Sequence, residues 1–236
     1  MTDSSPMAAR LARAWELQRS YAAQFGRLRP PKPARYAVTH YCLELGLEYQ
    51  GAISAASGDG RHGAAHTLLR ALIETTFRAL WLVYIADDAT LENFVKGRLK
   101  PDLNDLIKWI RNRKKSYPQL AHFASACERK AAIFNSYAHA GIEQLARRHG
   151  GFDERERIAA LNFADTFLVI DGEIAAVVHD DPPVAAAHAD PRCGPVRRGL
   201  VHSRAGRRAT GRRAAAGPSF PAASPAGSKE PLAPAG

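Results

Sequence analysis

Residues 64–86, AAHTLLRALIETTFRALWLVYIA, are the longest and most apolar periodic stretch of the chain. At about 100° per residue, Leu69, Leu72, Ile73, Thr76, Leu80 and Val83 fall on one face of a helix. His66, Arg70, Glu74, Phe77, Arg78 and Trp81 fall on another. A helix apolar on more than one side is buried on more than one side, so this one predicts neighbours around it. Its second face sets Arg70, Glu74 and Arg78 at four-residue spacing beside Phe77 and Trp81, which places three charges partly under cover. Arg70 with Glu74 and Glu74 with Arg78 are both within i,i+4 reach.

The flanking sequence is punctuated the same way. Residues 6–28 carry a broken apolar stripe (Leu11, Ala14, Trp15, Leu17, Tyr21) and are stopped by Arg29-Pro30-Pro31-Lys32-Pro33, where proline removes the backbone donor. A second helix is expected from about Ala34 to Ser57, ended by Gly58-Asp59-Gly60. Beyond the central stretch, Asp87 or Asp88 can cap a short helix through Val95, and Pro101-Asp102 opens another through Ile110. One long helix is expected from Pro118 to His149, with Leu120, Phe123, Ala124, Cys127, Ala131, Phe134, Ala138, Ile142 and Leu145 facing the core. Asp153 and Glu156 have capping-box spacing for a last helix to about Val178. No alternating strand pattern competes, so the expectation is an all-α multi-helix bundle of about six or seven helices.

Composition divides the chain in two. From residue 181 onward Ala, Gly, Pro and Arg make up 38 of 56 residues, and Phe220 is the only aromatic. Such a segment cannot bury enough surface to offset its ordering entropy. The expected organisation is a helical domain over 6–179 and a disordered basic tail over 180–236. A reading-frame shift across GC-rich codons would produce the same abrupt loss of periodicity. The net charge of +10 belongs mostly to the tail, where nine Lys or Arg face three acidic residues. Weak, sequence-independent nucleic acid binding by the tail follows from that excess.

Three scattered cysteines, Cys42, Cys127 and Cys193, have neither CxxC nor metal-ligand spacing and point to a reducing cytoplasm. The first twenty residues lack the uninterrupted apolar core of a secretory signal. Ala79–Ala86 is far short of the ~20 apolar residues that span a bilayer, so no membrane association is expected. Gly58-Asp59-Gly60-Arg61-His62-Gly63 matches GxGxxG, but a helix rather than a strand precedes it, which makes it a helix-to-helix turn. His62 and His66 lack the glutamate and third ligand of a zinc motif. No metal or cofactor is expected.

Polar residues interrupt apolar helices in two places. One is the Arg70, Glu74, Arg78 face; the other is Asn135-Ser136-Tyr137-Ala138-His139-Ala140-Gly141 with Gln144 beyond it. The candidate ligand site or polar network is therefore Arg70, Glu74, Arg78, Tyr137, His139 and Gln144, with a pocket expected where the two segments meet.

HTLLRALIETTFRALWLVYIADDATLENF, followed by NSYAHAGIEQLARR, resembles a family of uncharacterised bacterial helical proteins, a domain of unknown function, over about residues 35–180. That resemblance implies an all-helical fold, centred on Arg70, Glu74, Arg78, Trp81, Tyr137, His139, Gly141 and Gln144, and no established activity. A second resemblance, carried by Arg35-Tyr36-Ala37-Val38-Thr39-His40, is to ribonuclease and nucleotide-binding helical domains of toxin and defence systems. It implies catalysis by Arg35 and His40. The first reading, a non-catalytic interaction or ligand-sensing module with a protein or small-ligand partner, is preferred over this alternative.

Overall fold

The computed structural model describes residues 5–139 and 141–179, which form nine helices and, among the described residues, no strand. They are α1 (Pro6–Phe25), α2 (Ala34–Gly58), α3 (His62–Tyr84), α4 (Asp88–Val95), α5 (Leu103–Arg111), α6 (Pro118–Glu128), α7 (Ala131–Ala138), α8 (Ile142–Gly150) and α9 (Glu154–His179). The expected tail, residues 180–236, lies outside the described residues.

Four helix starts follow from side chains that accept the unpaired amides of a first turn. Ser5 accepts from Ala8 with Pro6 in the first turn of α1, and Asp87 accepts from Thr90 at α4. Asp102 and Asp105 cap α5 reciprocally. The expected box at α9 forms too: Glu156 N–H donates to Asp153 Oδ1 at 2.7 Å, and Asp153 N–H to Glu156 Oε2 at 3.1 Å. Between α2 and α3 the GxGxxG segment is a tight turn, with Gly60 at φ +73° where a side chain would be strained.

The long helix expected over 118–149 is instead α6, α7 and α8. Its apolar period runs on through both breaks, so periodicity alone could not locate them. Gly141 marks the second: it begins α8 with an extended backbone, and a Cβ there would lie 2.9 Å from Ser136 Cα.

α3 is the axis. Packed against α2, α9, α7 and α5, it buries Leu69, Leu72, Ile73, Phe77, Leu80, Trp81 and Leu82 almost completely. Phe77 stacks on Phe123 and leans on Phe167, while Trp81 stacks on Trp109 with Phe94 at its edge. The three charges of the second face are partly covered, as the pattern predicts; Glu74 and Arg78 keep about a quarter of their side-chain exposure (27% and 21%).

Two polar contacts lie inside this packing. Arg10 of α1 donates to Asp165 Oδ2 (2.6 Å) and Asn162 Oδ1 (2.5 Å) of α9, and Gln50 of α2 donates to Asp165 Oδ1 (2.8 Å). Deeper still, Asp171 of α9 is fully buried against Gly46, whose missing side chain makes room for the carboxyl. Thr76 is its polar neighbour, yet neither oxygen reaches hydrogen-bond geometry. Burial therefore pushes the Asp171 carboxyl well above its ordinary value of 3.8, and Thr76 opposes this only in part.

Two outcomes follow. Leu72→Ala should cost about 2–5 kcal/mol by leaving a cavity at the centre of α3, measured by urea unfolding. Above pH 3.8 the unfolded chain releases the Asp171 proton while the folded chain keeps it, so this residue lowers stability as pH rises. Asp171→Asn should flatten that decline, and an unchanged stability profile between about pH 4 and 8 would refute the buried neutral acid.

Candidate functional site

The polar segment of α7–α8 meets α3 in its first two turns. Thr67 donates its hydroxyl proton between Gly63 O (2.9 Å) and Tyr137 O (3.1 Å), while its oxygen accepts from Gln144 Nε2 (3.0 Å). Arg147 lies beside Tyr137 and pairs with Glu156 of the α9 cap. These contacts join α3, α7, α8 and α9 at one point.

His66 sits inside that junction. Its Nδ1 lies 2.8 Å from His62 O; a carbonyl only accepts, so Nδ1 carries the proton and Nε2 the lone pair. The ring stacks on Phe152 (centroids 4.5 Å apart) and tilts against Tyr137 (5.0 Å). Burial lowers the His66 pKa below 6.5, with Arg147 adding to the effect and the His62 carbonyl and Glu156 opposing it. His62, edge-on to Phe152, is lowered as well, by burial and by Arg157. Both imidazoles favour the neutral form, the one suited to proton or metal acceptance. Among the described residues, however, no group of three or more His, Cys, Asp or Glu is placed to hold a metal.

Five of the six sequence candidates are strung along α3 in three stations. Tyr137 and Gln144 join Gly63, His66 and Thr67. Arg70 follows on the same face, with a buried Nη1 that has no hydrogen-bond partner among the described residues. Glu74 and Arg78 pair with each other at 2.6 Å, and Arg78 reaches Pro101 O at 3.4 Å, toward α5. His139 is exposed where α7 ends. His66, Thr67 and Phe152 were missed because nothing local in the sequence tells that Phe152, seventy residues beyond α3, returns to cover its start.

Arg35 and His40 have other work. Arg35 donates to Leu82 O and Ala86 O, both at 2.5 Å, and to Asp88 Oδ1 at 2.9 Å, so it closes the C-terminal end of α3. His40 is 1% exposed, with Nδ1 3.1 Å from His179 Nε2 and Nε2 3.3 Å from Glu44 Oε1.

On α8 the structure corrects the core assignment. Ile142 is 73% and Leu145 57% exposed. With Ala146 and His149 they occupy positions i, i+3, i+4 and i+7, a solvent-facing stripe on the side of α8 away from Gln144. The same period that buries a helix elsewhere here faces outward.

These observations define an all-helical protein with a buried central helix and a polar seam holding a short helical segment across its start. The chain belongs to a family of unknown function (DUF6988), whose model matches residues 43–190. That span contains the seam and α8, and leaves out α1, Arg35 and His40. No curated protein and no solved structure matches the chain.

The lowered histidine values set a pH dependence of opposite sign to that of Asp171. Below 6.5 the unfolded chain takes up protons that the folded His66 and His62 resist, so stability falls with acidity through this window. His66→Phe keeps the stacking and removes one titrating group. Its stability should vary less than wild type between about pH 6.5 and 5, and an equal slope would show that His66 is not held neutral.

Proposed function

We propose that the protein is a non-catalytic interaction module of the bacterial cytoplasm, its helical domain covering residues 6–179, and that it docks a protein partner on the outer face of α8. The observation that carries this reading is the Ile142, Leu145, Ala146, His149 stripe in solvent, on a helix whose inner side is held by hydrogen bonds to Thr67 and Gly63. Contiguous exposed apolar side chains mark interaction surfaces. A helix offering one apolar face can lie against a complementary helix or groove.

Two further features support it. Cys42 and Cys127 are free and buried, their thiols pushed up to about 12 by burial, which suits a reducing compartment and unreactive sulfur. Arg35 and His40 are engaged with helix-end carbonyls, Asp88, Glu44 and His179, which weakens the ribonuclease alternative. The tail's Lys and Arg residues would add weak attraction to nucleic acid without sequence preference.

A photo-crosslinking residue at position 142 or 145 of the whole chain, expressed in its host, should give a discrete adduct with another polypeptide. The same residue at exposed Arg155 should not. The double variant Ile142→Lys, Leu145→Lys, with its melting unchanged, should lose the adduct. Identical adduct patterns at all three positions would refute docking on α8.

A further inference from the structure

The folded part carries a second surface of different character. Residues 96–115 hold eight Lys or Arg against two Asp, whereas the rest of residues 1–180 holds sixteen against eighteen acidic residues. The positive excess of the helical region is thus gathered on α5 and the loops at its two ends. Lys96 pairs with Glu92 and Arg111 with Glu128. The other six, Arg98, Lys100, Lys108, Arg113, Lys114 and Lys115, are exposed and form no ion pair among the described residues. Asp102 and Asp105 do not offset them locally, because each accepts a backbone amide in the capping box of α5.

Fold stability does not account for this gathering. The C-terminal end of α5 favours a cation or two, and Lys108 and Arg111 already stand in its last turn. Arg113, Lys114 and Lys115 come after it on consecutive exposed positions, where like charges repel. Residues 111–116 line a shallow, open depression, so Arg113, Lys114 and Lys115 flank one slightly concave surface.

We infer that this surface binds the phosphate backbone of nucleic acid. Leu103, Leu106, Ile107 and Ile110 of α5 point inward, at most 2% exposed, and the half-buried Trp109 stacks on Trp81. What remains outside is mostly charge and hydrogen-bond donors, with only the edge of Trp109 among them on α5. A phosphate backbone needs those and nothing more, whereas an amphipathic peptide or a membrane interior needs an apolar contact as well. α5 is about 14 Å long. Over that length a duplex displays on the order of eight phosphates. Recognition of this kind ignores base sequence.

The test measures binding of a labelled mixed-sequence DNA duplex, about 20 base pairs long, to the whole chain across a salt series. Arg113→Ser, Lys114→Ser, Lys115→Ser should weaken binding at least tenfold at about 0.1 M salt and reduce the slope of log K against log salt by about two to three. The matched tail variant Arg207→Ser, Arg208→Ser, Arg212→Ser should have a smaller effect. Because the loop is exposed, the loop triple should melt as wild type does; if it does not, single Gln substitutions at 113 and 115 should each give a partial loss. The inference is overturned if wild type does not bind, if the loop variants bind like wild type, or if the tail triple costs as much as the loop triple. It is equally overturned if polyglutamate, or vesicles of phosphatidylserine, bind in a loop-dependent way as tightly as the duplex at matched charge.

Discussion

The whole arrangement depends on covering α3 on all sides. Leu72, Ile73, Phe77, Leu80, Trp81 and Leu82 leave it only a narrow solvent-facing edge along its second half, and each buried side chain of this size contributes roughly 1.5–3 kcal/mol. One helix cannot cover another on every side, so α2, α9, α5 and α7 are all needed. Against that sum, the Glu74–Arg78 pair, worth about 0.2–0.5 kcal/mol as an i,i+4 contact, does not hold the fold together. Its effect is local: with Arg78 also reaching Pro101 O, it fixes where the chain enters α5 beside α3.

Register between the long helices is set by polar groups that apolar packing would leave free to slide. Asp165 is shared by Arg10 and Gln50, so α1, α2 and α9 meet at one height only. Removing one partner of such a buried charge pair is costly, about 3–5 kcal/mol, because the other is left uncompensated. Asp171 acts differently. Burial favours its neutral form in a slot that exists because residue 46 has no side chain, so shape more than charge fixes the α2–α9 crossing there. The two acids lie six residues apart on α9, one paired with Arg10 and Gln50, the other enclosed against Gly46.

Much of the fold was legible because its signals are local. Proline at 33, the glycines at 58 and 60, and the Asp153–Glu156 box each act within a few residues, and the helix ends fall beside them. The stretch from 118 to 150 was not legible as three helices, since Ile142 and Leu145 continue a core period while facing solvent. Periodicity records that one side differs from the other, not which side meets the protein. The seam was legible by half for a related reason. Tyr137 and Gln144 stand out as polar groups in apolar surroundings, but His66, Thr67 and Phe152 acquire their roles only through long-range packing.

α3 also separates the two exposed surfaces. Gln144 of α8 meets it at Gly63, whereas Tyr117, just after the basic loop, packs on Tyr84 at its other end. The helix climbs 21 residues from Gly63 to Tyr84, about 30 Å. At that distance the charges of the loop are screened from α8 at physiological salt, where the Debye length is about 8 Å. The apolar stripe on α8 therefore sits outside the field of the basic loop, and contacts at one surface carry no electrostatic penalty at the other. Substitutions at the two should act additively, because sites this far apart with no shared partner do not couple. Any coupling between them would have to travel through α3, which is packed too densely along its second half to bend, and so would require α3 to shift as a whole.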